Sequence, residues 1–254
     1  MSEYQFYLSN PMEAIEEMNK FMLPLDFYTR EMAEKVVQID GLTVRFFPRC
    51  VCTETIYKKA VMSKGTALEF VPKKYRNQEM CKIACENDGL SLQFVPESLK
   101  TLDICMLACN QNPCALQWVP VEHKTAELCR FCCVQYFEVF EYVPDSIKDE
   151  LLSLFCVSQN GNLLQYVPDH LKTDMVCTAA CRSVRSAIKW VPPHLITKQL
   201  TTLACFSEGM NLQFIPSEMR DLGLCRMACH FNKKAFQFVP DDLKDHPDLA
   251  KYKS

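Results

Sequence analysis

The amino terminus, MSEYQFYLSN, offers no basic stretch leading into an apolar core, so it does not read as a secretory signal. No apolar run approaches the ~20 residues that a membrane-spanning helix needs. A net charge of −3 supplies none of the basic excess that nucleic-acid binding requires. The chain also has no G-x-S-x-G nucleophile turn, no phosphate loop and no H-E-x-x-H zinc motif. Its five histidines form no constellation, and Cys229 and His230 are chain neighbours on different faces of a helix. An enzyme with a recognisable nucleophile and base, a nucleic-acid reader and a membrane protein therefore drop out of the expected classes. The expected compartment is a reducing cytosol, the cell's own or that of a host into which the chain is delivered.

What the sequence does have is a lattice. Ten of its fourteen prolines fall 24 residues apart, from Pro24 through Pro240, with no insertion or deletion. From Pro72 onward each is preceded by Val or Ile, and before that by an aromatic: Phe70, Phe94, Trp118, Tyr142, Tyr166, Trp190, Phe214 and Phe238. Fixed-period self-similarity of this length marks a solenoid array. The expected organisation is a capping helix over 1–23, nine units over 24–240, and a C-terminal cap and tail over 241–254.

Counting each lattice proline as position zero, position five is Thr, Asn or Asp in every unit, as at Asn77, Thr101 and Asp149. Such side chains accept from the free N–H groups that open a helix. Positions 8, 9, 12 and 13 are then apolar or small, as with Ile104, Cys105, Ala108 and Cys109, which is one face of a 3.6-residue period. The first element is expected to be an α-helix of about eleven residues. Glycine at position 17 (Gly41, Gly65, Gly89, Gly161, Gly209) is expected to close it in a left-handed conformation. A second, shorter helix is expected over the ALQF-type segment, breaking at the Val before proline, with a further helical turn opened by the proline. The fold class is thus all-α, an α-solenoid of helix pairs. The alternative is a leucine-rich-repeat-like α/β horseshoe, in which LQF would be a strand. In NPMEAIEEMNKFM, Asn10 and Pro11 read as the start of the capping helix.

The unit A-L-x-[FYW]-V-P-x-x-L-K-T-x-x-[IL]-C-x-x-A-C-x-x-N-G resembles an uncharacterised bacterial tandem-repeat family, also found in some large viruses. Segments such as DGLSLQFVPESLKT (88–101) and QNGNLLQYVPDHLKT (159–173) carry the resemblance, which covers 24–245. It implies a helical repeat scaffold, sometimes part of a secreted effector, and it assigns no catalytic residue; the expected function is a protein-binding scaffold, a bacterial effector or a viral host-interaction factor.

Sixteen cysteines are many for this length, and most sit at positions 9 and 13. Elsewhere those slots hold Ala33, Tyr57, Ser153 and Thr201, or Val37, Val61 and Val157. A slot that exchanges Cys with Val, Ala and Ser is filled by size, so the thiols are expected to be buried packing groups. A thiol ladder binding zinc or Cu(I) is the alternative function, a metal-binding or metal-buffering protein.

Recognition is expected where the pattern breaks. In CCVQYFEVFEYVP (132–144) the closing glycine becomes Phe137, and Val134 and Tyr136 join it outside the core slots, while Phe140 keeps a regular one. In CRSVRSAIKWVPPHLITK (181–198), Arg182, Arg185, Lys189 and Lys198 form a basic run beside an acidic stretch, 138–150, a segregation that can steer a complementary partner. Phe206 and Phe231 are apolar at outward helix positions. Val134, Tyr136, Phe137, Arg182, Arg185, Lys189, Phe206 and Phe231 are accordingly the expected surface for a protein partner. No metal, cofactor or catalytic residue is expected.

Overall fold

A computed structural model describes residues 2–253. Every regular element among them is helical, so the horseshoe alternative, which needs strands, does not hold. The chain divides into two compact units, Met1–Val139 and Phe140–Ser254. The first holds α1 (Glu3–Ser9), α2 (Pro11–Asn19), α3 (Arg30–Ile39), α4 (Glu54–Ser63), α5 (Gln78–Asn87), α6 (Leu102–Gln111) and α7 (Ala126–Gln135). The second holds α8 (Glu150–Gln159), α9 (Asp174–Ser183), α10 (Lys198–Cys205), α11 (Leu222–Phe231) and α12 (Pro247–Ala250).

From α3 to α11 each α-helix starts one residue after its position-five side chain. All nine of those side chains accept from a backbone N–H three residues on, for example Asn77 from Met80 at 2.9 Å and Asp149 from Leu152 at 2.8 Å. Such caps contribute about 1 kcal/mol each. The face at positions 8, 9, 12 and 13 is buried throughout, as with Ile104, Cys105, Ala108 and Cys109 on α6.

The second element is a six-residue 3₁₀-helix, such as Gly89–Phe94, rather than an α-helix. Its three-residue period stacks positions 17, 20 and 23, and Gly89, Leu92 and Val95 are all buried. The aromatic at position 22 is only half-buried in most units, and Trp190 and Phe214 are exposed. An Asp or Asn at position 16 caps this element too: Asp88 accepts from the Leu90 N–H and Asn112 from Cys114, each at 3.0 Å. The lattice proline is not the first residue of the next turn. It is extended (Pro96 ψ 140°) and flanks the 3₁₀ turn Glu97–Leu99. Within each unit, neighbouring α-helices pack on one another and so do neighbouring six-residue 3₁₀-helices, the two layers of a helix-pair stack.

The glycines at position 17 do not close the α-helix in a left-handed conformation, because no glycine has positive φ. They open the 3₁₀-helix, and a Cβ there would run into the carbonyl of an alanine at position 12 of the following repeat: Ala60 for Gly41, Ala84 for Gly65, Ala108 for Gly89. Close approach of two backbones, not a special torsion, is what demands glycine. At the amino end, Pro11 does open α2, but Asn10 makes no side-chain cap there. Its amide donates back to the Phe6 carbonyl at 2.8 Å, since α1 precedes it.

Candidate functional site

The repeat fixes what is unavailable for recognition. Position four carries a cation in most repeats, and it is spent on the frame. Lys100 donates to Glu97 at 2.7 Å and to the Trp118 carbonyl at 3.1 Å. Lys148 does the same with Asp145 and the Tyr166 carbonyl, and its side chain is 4% exposed. Arg76 clasps three carbonyls, those of Val71, Phe94 and Glu69, and Arg220 those of Ile215, Phe238 and Gln213. These cations tie the end of one 3₁₀-helix to the next. Their 24-residue spacing is readable in the sequence as the K of the L-K-T segment, but their structural use is not.

The acidic stretch 138–150 is likewise engaged. Asp145 pairs with Lys148, Asp149 caps α8, and Glu150 accepts from the Thr173 hydroxyl at 2.8 Å. From the basic run, Lys198 pairs with Asp221 at 3.0 Å.

The cysteines are all free, and only Cys50 is exposed, with Cys114 half-buried. Burial pushes the Cys81, Cys105, Cys177 and Cys225 thiols up to about 11, and Cys85, Cys129, Cys181 and Cys205 up to about 12. In the buried Cys109–Cys132 pair, the hydrogen bond between the thiols and burial together hold Cys109 protonated. Among the described residues no group of three or more His, Cys, Asp or Glu side chains is placed to share a metal ion.

Of the eight expected recognition residues, the structure gathers three into one cluster of the 140–254 unit. The Phe206 and Phe231 rings meet edge to face, centroids 5.2 Å apart at 68°. Their side chains stay 52% and 40% exposed. The Arg185 guanidinium lies over the Phe206 ring, 5.9 Å from its centroid, and His230 packs edge-on to Phe231 at 5.5 Å. Arg185 Nε is sequestered with no hydrogen-bond acceptor. Arg182, exposed on the last turn of α9, makes no ion pair among the described residues. Lys189 sits apart, over Trp190 at 5.2 Å.

This cluster exists because the helix before it is cut short. α10 ends two residues earlier in its repeat than α9 or α11, Phe206 follows it, and Ser207 takes φ 67°, in the left-handed region. Where other repeats bond the position-16 N–H to the position-12 carbonyl, the buried Asn211 side chain donates to the Ala204 carbonyl at 2.8 Å. Asn211 carried no sequence signal beyond being polar in a slot otherwise filled by small or apolar residues.

Val134, Tyr136 and Phe137 belong to the other unit and occupy the same repeat positions, 14 to 17. Val134 is 67% exposed, and the Tyr136 and Phe137 rings lie 6.1 Å apart. The 1–139 unit also carries a groove of about 740 Å3 across α5–α7, with Leu102, Met106 and Phe131 partly exposed along it. The sequence analysis did not single it out, because each of these residues reads alone as a scattered surface apolar group.

The family description of a domain of unknown function, DUF4116, matches residues 77–124. The match runs from the cap Asn77 to the position-four Lys124, two periods of the lattice. No curated protein and no solved structure matches the chain.

Proposed function

We propose that the chain is a protein-binding repeat scaffold, and that its 140–254 unit takes a partner on the Phe206–Phe231–Arg185 cluster. The supporting observation is a pair of phenylalanine rings left in solvent, with a guanidinium over one of them that has no acidic partner of its own. Aromatic and arginine anchors of this kind carry most of the free energy in protein interfaces. The Arg182 and Arg185 charges favour a partner segment that sets a carboxylate beside an apolar side chain, and they speed encounter more than they deepen affinity. The setting is the one the family resemblance implies, an effector or host-interaction factor working in a reducing cytosol. Sixteen free cysteines support that compartment. No catalytic step is part of the proposal.

The test is capture from host-cell lysate by full-length wild type and by a Phe206→Ala/Phe231→Ala variant, with melting curves recorded for both. The expected result is a discrete partner whose recovery falls roughly tenfold or more in a variant that still melts cooperatively. Identical captured sets would remove the cluster from consideration.

The metal-buffering reading has weaker support. Metal ligation needs thiolates, and burial holds these thiols in the neutral form. Stoichiometric zinc or copper in protein purified without chelator would reinstate it.

A further inference from the structure

At position one four repeats carry an acid, and in two repeats of the amino-terminal unit a cation stands in its place. Glu97, Asp145, Asp169 and Asp241 each place a carboxylate against the position-four lysine three residues on, at 2.7, 2.9, 2.9 and 2.6 Å. The frame there is neutral, one acid to one cation. In the two repeats that begin at Pro48 and Pro72 the position-one residue is Arg49 or Lys73, a cation in place of the acid.

Those two side chains line one cavity of about 370 Å3, together with Arg45 and the guanidinium of Arg76. Glu69 is the single acid on its wall, and Phe70 and Pro72 form part of its floor. Arg49 and Lys73 make no hydrogen bond or ion pair among the described residues, and Arg45 makes no ion pair there, reaching the Asn19 amide oxygen at 3.5 Å and lying over the Phe46 ring, 4.7 Å from its centroid. Arg76 spends three N–H groups on carbonyls, which holds it in place and leaves two of its five donors unspent. Position four of the Pro48 repeat is Cys52 instead of a lysine, and the hydroxyl of the buried Tyr57, which also lines the cavity, donates to its sulfur.

The geometry points to a binding site for a phosphate group, presented either as the free ion or as a phosphate monoester. Three unpaired cations against one carboxylate leave more positive charge than a single carboxylate ligand would neutralise. A tetrahedral dianion also matches the forked donors of arginine. The aromatic and proline floor would carry the body of an ester.

The test is titration calorimetry on the full-length protein with inorganic phosphate and, separately, phenyl phosphate, at low ionic strength and against sodium chloride of equal ionic strength. The expected result is saturable one-to-one binding of phosphate that chloride does not reproduce. Arg49→Ala/Lys73→Ala should weaken it by roughly tenfold or more, while Lys234→Ala, on the other unit, should leave it unchanged. Both changes at 49 and 73 are at exposed side chains outside the hydrogen-bonded frame, so the variant keeps its melting curve. Tighter binding of phenyl phosphate than of phosphate would identify an ester, and equal binding the free ion. Heat no larger than with chloride, full binding by the double variant, or an equal loss in the Lys234 variant would each overturn the proposal.

Discussion

Two joints between successive repeats show how this chain separates holding together from reaching out. In the 1–139 unit, Gly89 lies so close to the Ala108 carbonyl that a Cβ would collide with it, and the Gly89 N–H donates to the Gln111 side chain of the same following helix. In the 140–254 unit the corresponding joint is Arg185 facing Ala204. The glycine is gone, α10 unwinds after Cys205, Asn211 takes over the carbonyl that the backbone has released, and Phe206 comes to the surface. A tight joint leaves nothing for a partner to hold. A loosened joint yields an aromatic ring and an unpaired guanidinium, and it costs the local helix its last turn.

The sharpest way to break the comparison is to force a side chain into the tight joint. Gly89→Val should destabilise the protein by about 3 kcal/mol, the upper part of the range for overpacking, because backbone on both sides must move. Arg185→Gly, the reverse change, should leave the melting temperature nearly unchanged, since a glycine's entropic cost of about 0.5–1 kcal/mol is the main term. It should nonetheless weaken partner capture. Equal losses from the two changes, read by denaturant melts, would mean the joints do not differ in closeness.

The next largest effect concerns the buried cation. Lys100→Met strands the Trp118 carbonyl and should cost about 1–3 kcal/mol. The repeat that holds the loosened joint lacks this tie, because Ile196 occupies position four and Pro193 position one. Ile196→Lys combined with Pro193→Asp should restore the pattern of Lys148 with Asp145 and add about 0.5–1.5 kcal/mol. No gain would show that the tie depends on the regular joint beside it.

Much of this was legible in the sequence, and the misreadings have physical causes. The cap at position five and the buried face at 8, 9, 12 and 13 follow from local rules, hydrogen-bond acceptance at a helix start and the 3.6-residue period, and the structure has both. The glycine at position 17 was legible as a constraint but not as the right one. A helix-end glycine usually supplies positive φ, whereas this one supplies absent volume, and only the packing of the next repeat distinguishes the two. The second helix was legible as helix but not as 3₁₀, because adjacent apolar pairs fit either period over six residues. The burial of Lys100 and Lys148 was not legible, since a lysine followed by a capped helix gives no hint of it until the carbonyl it meets, 18 residues on, is known. Phe206 and Phe231 were expected on the surface separately, but their contact across a repeat was beyond any local rule.

A finer comparison lies at position 19. Asn211→Ala removes the donor that replaces a backbone bond and should cost about 1–2 kcal/mol. Ser91, at the same position beside the tight joint, is buried with an unpartnered hydroxyl. Ser91→Ala should be neutral or slightly stabilising, because it removes a desolvated polar group without creating a cavity. If Ser91→Ala were the more damaging change, the hydroxyl must have a partner and the roles of the two joints would be reversed.

The smallest effect near neutral pH, and the one that grows steeply above it, belongs to the thiols of both joints. Burial raises Cys85 and Cys205 to about 12 and Cys105 to about 11, against about 8.5 for an unfolded cysteine. A raised folded pKa means that the stabilisation is fully present below the unfolded value and is lost as pH rises towards the folded one. Each such thiol then removes up to ~1.4 kcal/mol per pH unit. The melting temperature should therefore be flat from pH 7 to 8 and fall progressively above pH 9, with no dependence on added metal. Thiol labelling at pH 8 should modify Cys50 first and Cys114 next. Among the buried cysteines Cys205 should react before Cys109, because the residue after it already leaves the helix and local opening costs less there. Labelling of Cys109 ahead of Cys205 would place the weaker joint in the 1–139 unit and undo the contrast between Gly89 and Arg185.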